Sequence, residues 1–316
     1  MTADRVRRST LFTPADDAGM MRTAASTPAD ALAFDLEDAV PADRLPDART
    51  NLRTVVPDID ADAEVGVRIN PVGSAAWIDD VAAAVGAGVD AVLVPKVESP
   101  ADASAVVDAF RAATAAGDDG DGSPDDGDGD PDDKDGGPDD DRTPPSVRLA
   151  VETPTGLLAL PAIAARGGDL PAVVGLSFGL ADYCRALGAP EPTDAVRERL
   201  AFGVATAAAA NGLDAFASAH LDIDDEEGLR QIAASARELG FEGMSAIHPD
   251  QLPAINEAFT PDPERVARSR RLVEAYEAAD ADSIRVEGAF LDEATVGRHR
   301  ARIERAEAIR DAESDE

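Results

Sequence analysis

Eight short apolar runs recur along the chain, at 9–13, 31–36, 64–70, 91–97, 147–152, 173–178, 214–218 and 244–248. Most are continuous and do not alternate with polar residues. Continuity marks parallel strands covered on both faces, because a strand with one wet side alternates. Between the runs lie Ala-rich stretches of helical spacing, such as 16–25, 75–85, 101–116, 194–211 and 226–239. Eight strand–helix units in this order predict an α/β fold, a (β/α)8 TIM barrel over residues 1–260. Beyond the barrel, residues 261–316 read as a helical lid or oligomerisation segment. It holds two charged helices, around 263–280 and 292–312, joined over 283–290.

One stretch breaks the rhythm. Residues 117–145 hold almost only Asp, Gly, Pro and Ser, and cannot bury enough apolar surface to fold, so disorder is expected there. The alternating Asp and Gly at 126–130 resemble a calcium loop only weakly, because the closing Glu is missing. The formal net charge is −34, which repels phosphate backbones and anionic lipid and argues against nucleic-acid and membrane partners. Asp is abundant and Lys scarce, a halophile-like surface suited to concentrated salt. The single cysteine, Cys184, rules out an intrachain disulfide and fits a reducing compartment. The opening residues are charged and do not form a signal peptide, and no apolar run reaches the roughly 20 residues a bilayer requires. The expectation is a cytoplasmic protein.

In a barrel of this kind the C-terminal ends of the strands face the reaction site. Polar residues collect there: Asp35, Glu37 and Asp38 around the end of the second run, Arg68 and Asn70 at the end of the third, Lys96 and Glu98 around the end of the fourth. Glu152 ends the fifth, Asp182 follows the sixth, and His248 and Pro249 follow the eighth. Singly, these residues have ordinary explanations as helix caps, surface acids or loop closures. Jointly, carboxylates converging at one end are costly unless a cation relieves them. A hard divalent ion with oxygen ligands suits such a set, and no Cys/His cluster with zinc spacing exists. Phosphate-binding glycine loops are absent from the sequence as well.

Several blocks fall in a familiar order: RSTLFTPAD (8–16), DLEDAV (35–40), VRINP (67–71), VLVPKVES (92–99), AVETPTGLL (150–158), SFGLADYCRALG (177–188), the run 222–252 ending in AIHPDQL, and GAFLDEATV (288–296). The chain thereby resembles the citrate lyase beta subunit family, which includes malyl-CoA and β-methylmalyl-CoA lyases. The resemblance covers nearly all of the sequence except the acidic insert. It implies that Glu152 and Asp182 hold Mg2+, with Mn2+ an alternative. It implies that Arg68 steadies an enolate and that Glu37 and Asp38 support metal-bound water and orient Arg68. Phe12 and Pro14 then line the entry for the CoA pantetheine, Lys96 meets CoA or a carboxylate, and Ala181 and Pro249 are weaker contacts. Asp292 corresponds to an acid–base residue lent by a neighbouring subunit, although an Asp before a helix is also a favoured cap. Homotrimers or homohexamers follow from the same resemblance.

The sequence departs from the family at Ala15-Asp16, which bears on CoA contacts, and at Ala181, which leans toward malyl-CoA. The implied substrates are an acyl-CoA and a 2-oxo acid such as glyoxylate. Thioester hydrolysis, cleavage of citramalyl-CoA or citryl-CoA, and a non-enzymatic role as a barrel subunit of a larger complex stay open. His220, His248 and His299 read as structural or ordinary polar positions, and Cys184 as core filling.

Overall fold

The computed structural model describes residues 5–118, 144–279 and 281–314. All eight expected strands are present: β1 (Ser9–Pro14), β2 (Ala31–Asp35), β3 (Glu64–Arg68), β4 (Ala91–Val94), β5 (Ser146–Val151), β6 (Val173–Phe178), β7 (Asp214–Ala217) and β8 (Gly243–Ala246). Each pairs in parallel with the next, and β1 pairs with β8 to close the barrel, with Leu11 opposite Ala246. Helices α1 (Ala18–Ala24), α2 (Leu45–Val55), α3 (Trp77–Ala87), α4 (Pro100–Asp118), α5 (Pro154–Gly168), α6 (Leu180–Leu187), α7 (Asp194–Ala210), α8 (Glu226–Glu238) and α9 (Leu252–Phe259) follow the strands. The main core lies between strands and helices, where Leu32, Phe34, Val92, Leu149 and Leu176 are buried. The bulk of the acidic insert, 119–143, lies outside the described residues.

Several runs overshoot their strands at the C-terminal end. The fourth was expected to reach 97 and stops at Val94. Pro95 follows and has no N–H for the ladder, and Lys96 then adopts a left-handed φ of 52°. The chain thus leaves the sheet where the polar residues begin. Helix α5 starts with equal clarity: the Thr153 side chain accepts the Gly156 N–H at 3.0 Å, and Pro154 takes the first helical turn.

The barrel interior near the strand N-termini holds charge. Arg148 of β5 is buried and ion-pairs with Glu64 of β3, donates to the Thr10 hydroxyl at 3.0 Å and lies 4.4 Å from the Phe216 ring. Arg7 reaches the same Glu64 carboxylate at 2.6 Å. Burial disfavours the Glu64 charge, yet Arg148 and Arg7 hold its pKa below the usual carboxylate value.

The tail forms α10 (Pro263–Glu277) and α11 (Glu293–Ser314), and the connection between them is a two-stranded hairpin, β9 (Ile284–Val286) with β10 (Ala289–Leu291). Leu272, Leu291 and Val296 give this unit its own small apolar cluster. Helix α11 then runs back to the barrel: Arg305 donates to the Glu242 carbonyl at 2.6 Å, and Glu313 pairs with Arg8 at 2.9 Å. These contacts lie at the N-terminal end of the strands, next to the starts of β1 and β8.

Candidate active site

At the opposite end, the lip of the barrel surrounds a cavity of about 790 Å³. Phe12, Pro14, Asp38, Arg68, Glu152, Ala181 and Asp182 all line it. The arrangement starts from Arg68, the last residue of β3. Its Nε donates to Asp35 at 2.6 Å, a second guanidinium nitrogen meets the other Asp35 oxygen, and Nη1 lies 3.2 Å from Glu37. β2 and β3 pair with Asp35 opposite Arg68, so strand register sets this fork. The Phe12 ring lies 5.1 Å from the guanidinium carbon and covers its face. Burial works against the Arg68 charge, but the Asp35 hydrogen bonds and the Asp35 and Glu37 charges win, and its pKa rises above the ordinary value.

Glu37 and Lys96 stand behind the cavity wall as an ion pair. Lys96 Nζ also lies 3.8 Å from both Asp38 and Asp182. Burial lowers the affinity of Lys96 for its proton, and contact with Glu37 more than restores it. Glu37 is pushed up by burial despite Arg68 and Lys96, and its Oε2 has no well-aligned hydrogen-bond donor.

Glu152, just past β5, is 4% exposed. Its Oε1 accepts the Lys96 backbone N–H at 2.9 Å, so the left-handed turn at Lys96 aims an amide at the carboxylate. A Cβ on residue 179 would lie 2.0 Å from Glu152 Oε2, so only Gly179 lets β6 pass this close. Burial first, then Asp182 and Glu37, push the Glu152 carboxyl up to about 7. Asp182, in the first turn of α6, pairs with the exposed Arg185 at the rim.

This set fits a hard cation. Glu152 and Asp182 line one cavity, and Glu152 carries the signature of a carboxylate short of positive charge. Among the described residues no three Asp, Glu, His or Cys side chains form a ready-made cage. Two carboxylates suit Mg2+, which keeps waters and accepts substrate oxygens.

Other expected residues fall elsewhere. Asp38 does not hold Arg68; it is half exposed and faces Lys96, and Asp35 takes the role expected of it. Pro249 is not in the cavity wall but opens a short turn, where His248 Nδ1 accepts the Asp250 N–H at 3.2 Å. Asp292 is also outside the cavity: it accepts the Thr295 N–H at 2.8 Å and caps α11. The acid missed from sequence is Asp35. The signal lies in strand register, since β2 and β3 end together on Asp35 and Arg68, whereas the sequence runs extend past both.

No helix among the described residues is long and apolar enough to cross a membrane. The chain is 31% identical over 313 residues to citrate lyase subunit beta of Escherichia coli, covering 96% of this chain and 94% of that one. It is 29% identical to a (3S)-malyl-CoA thioesterase of Cereibacter sphaeroides, covering 96% and 95%. The solved structure of CitE from Mycobacterium tuberculosis in complex with magnesium, acetoacetate and coenzyme A superposes with a TM-score of 0.73 at 28% identity, covering 96% of this chain and 99% of that one. The family model of HpcH/HpaI aldolase/citrate lyase matches residues 8–249, a span that includes all eight barrel strands and every cavity residue named above. The chain belongs to the HpcH/HpaI aldolase/citrate lyase family.

Proposed function

We propose that this protein is a Mg2+-dependent carbon–carbon lyase for a short 3-hydroxyacyl-CoA. The favoured substrates are malyl-CoA or β-methylmalyl-CoA, giving glyoxylate and acetyl-CoA or propionyl-CoA. The observation that carries the reading is the buried, charge-starved Glu152 beside Asp182, in one cavity with the braced Arg68. Glu152 and Asp182 are the residues to hold the cation, which when bound supplies a Lewis acid for the oxygens of the oxo acid.

Cleavage breaks the bond between C2 and C3 of the acyl chain. The hydroxyl on C3 loses its proton, its oxygen becomes the new carbonyl, and the bonding electrons pass to the thioester as an enolate. Arg68, fixed by Asp35, offers N–H groups to the enolate oxygen without reorganising. Phe12 keeps water from the guanidinium face. Asp292 from a second copy of the chain is the candidate to carry the proton, taking it from the C3 hydroxyl and returning it to C2 of the enolate. That role requires an oligomer, in keeping with a homotrimer or homohexamer. Lys96 is held by Glu37 and supports Glu152 through its backbone.

A second reading is favoured by the relatives called (3S)-malyl-CoA thioesterase: hydrolysis of the thioester at the same centre. Relatives called citrate lyase subunit beta also support a subunit of a larger lyase acting on a citryl thioester. The test is a coupled assay in concentrated salt with Mg2+. Malyl-, β-methylmalyl-, citramalyl- and citryl-CoA are offered in turn, and oxo acid and free CoA are measured separately. Oxo acid without free CoA is the expected product pattern. Inactivity on all four thioesters would end the lyase reading.

A further inference from the structure

Arg68 and Arg148 both line the active-site cavity, and both are matched by carboxylates. Arg197 lines it too and is not matched. It sits in the first turn of α7, and its Nε is buried with no hydrogen-bond partner. Among the described residues it forms no ion pair. Asp194, one turn earlier, is the single carboxylate acting on its charge, and burial outweighs it, so its pKa is lowered. Glu191 and Glu198 lie on the same walls without pairing with it.

Arg197 also borders a second cavity, of about 420 Å³, between α7 and α8. Ser218 and His220 line both spaces, so the two cavities meet at Arg197. His220 is itself engaged, with Nε2 3.1 Å from Asp225. A cation held partly out of water without a partner costs free energy. A guanidinium fork in that state is complementary to a planar or tetrahedral oxyanion.

We infer that Arg197 anchors an oxyanion of the bound substrate, a carboxylate or phosphate other than the one held at Glu152 and Asp182. The identity of its source rests on the acyl-CoA reading above; the anchoring itself does not. A 2-oxo monoacid would spend its one carboxylate at the metal pair, leaving Arg197 to a CoA phosphate. A dicarboxylic oxo acid would have a second carboxylate for Arg197. Arg197 is therefore a specificity residue, set apart from the reacting carbons.

The test is calorimetric binding to the full-length protein with Mg2+, using coenzyme A, pantetheine, oxaloacetate and pyruvate as probes. Arg197→Gln and Arg197→Lys are compared with the unaltered protein, together with their unfolding midpoints. Arg197→Gln is expected to weaken one anionic probe roughly 10- to 100-fold, with partial rescue by Arg197→Lys and no loss of stability. Weakening of coenzyme A but not pantetheine assigns the phosphate. Weakening of oxaloacetate but not pyruvate assigns the carboxylate. Overturning results are binding of every probe within twofold of the unaltered protein, no binding by the unaltered protein, or a lowered unfolding midpoint with binding unchanged. Failure of lyase activity alongside Arg197-dependent binding would sink the proposed reaction and leave the anchor standing.

Discussion

The two ends of the barrel carry charge clusters built from the same residue types, yet they are balanced differently. At the N-terminal end, Glu64 lies between Arg7 and Arg148, and its ionised form is favoured. At the C-terminal end, Asp35, Glu37, Glu152 and Asp182 outnumber Arg68 and Lys96, and both Glu37 and Glu152 are pushed toward the protonated form. Arg185 adds positive charge at the exposed rim, and Arg197 stands on another part of the cavity wall. A closed ion cluster of the first kind is finished by folding. The second kind is finished only by something that binds. Burial alone does not separate the two, since Glu64 and Glu152 are both almost inaccessible, at 2% and 4%. The separation lies in whether the protein supplies its own counter-charge.

Substitutions at the two glutamates would break this comparison most visibly. Glu152→Gln is expected to abolish Mg2+-dependent cleavage, by about 1,000-fold or more, while raising the unfolding midpoint of the metal-free protein. Glu64→Gln should do the reverse, leaving Arg148 and Arg7 short of a partner at a cost of about 3–5 kcal/mol. Denaturant unfolding of both variants decides the matter, and equal destabilisation would show that the two clusters do the same job. Arg68→Lys comes next: one ammonium cannot reproduce the fork to Asp35. A fall of roughly 100-fold in kcat with a smaller change in KM is expected.

The pH response sharpens the contrast further. Glu152 is raised from 4.5 to about 7, a difference of about 2.5 that corresponds to roughly 3 kcal/mol. A carboxyl raised in the folded state favours folding below its unfolded value, and that stability is lost as pH climbs through the folded value. Without Mg2+, stability should therefore decline between about pH 4.5 and 7. Saturating Mg2+ and Glu152→Gln should each flatten the decline. A slope that survives in Glu152→Gln would place its origin in the rest of the acidic surface. The smallest effect on stability belongs to Asp292→Ala, which removes a cap worth about 1 kcal/mol. If Asp292 also serves a second copy, kcat falls by far more than that loss explains, whereas unchanged kcat would confine it to capping.

The strands were readable because each is covered on both faces, so continuous apolar runs such as 91–97 and 173–178 stand out against polar loops. Strand ends were less readable. Hydrophobicity persists through Val97, but Pro95 has already taken the chain out of the ladder. Glu152, Asp182 and Arg68 were accessible as polar residues at strand ends, and the family blocks supplied their roles. Their bracing was not: Asp35, Glu37 and Asp38 lie within four consecutive positions, and only strand register and backbone direction decide which one meets Arg68. Arg197 escaped for a related reason. Nothing in an Arg/Glu-rich helix start marks a guanidinium whose Nε is buried without a partner.

The last helix has a consequence for how the chain comes together. The barrel seam joins β1 to β8, and beside that seam Arg8 meets Glu313 while Arg305 meets the carbonyls of Glu242 and Phe259. The latch joins residues 305 positions apart, so it forms only after nearly the whole chain has left the ribosome. Loop-closure entropy makes such distant contacts slow to form. Until β8 is in place, the edge of β1 is an unpaired template for other chains. Helix α11 thus closes late over a seam that β1 and β8 have already made, as a clasp on the finished barrel.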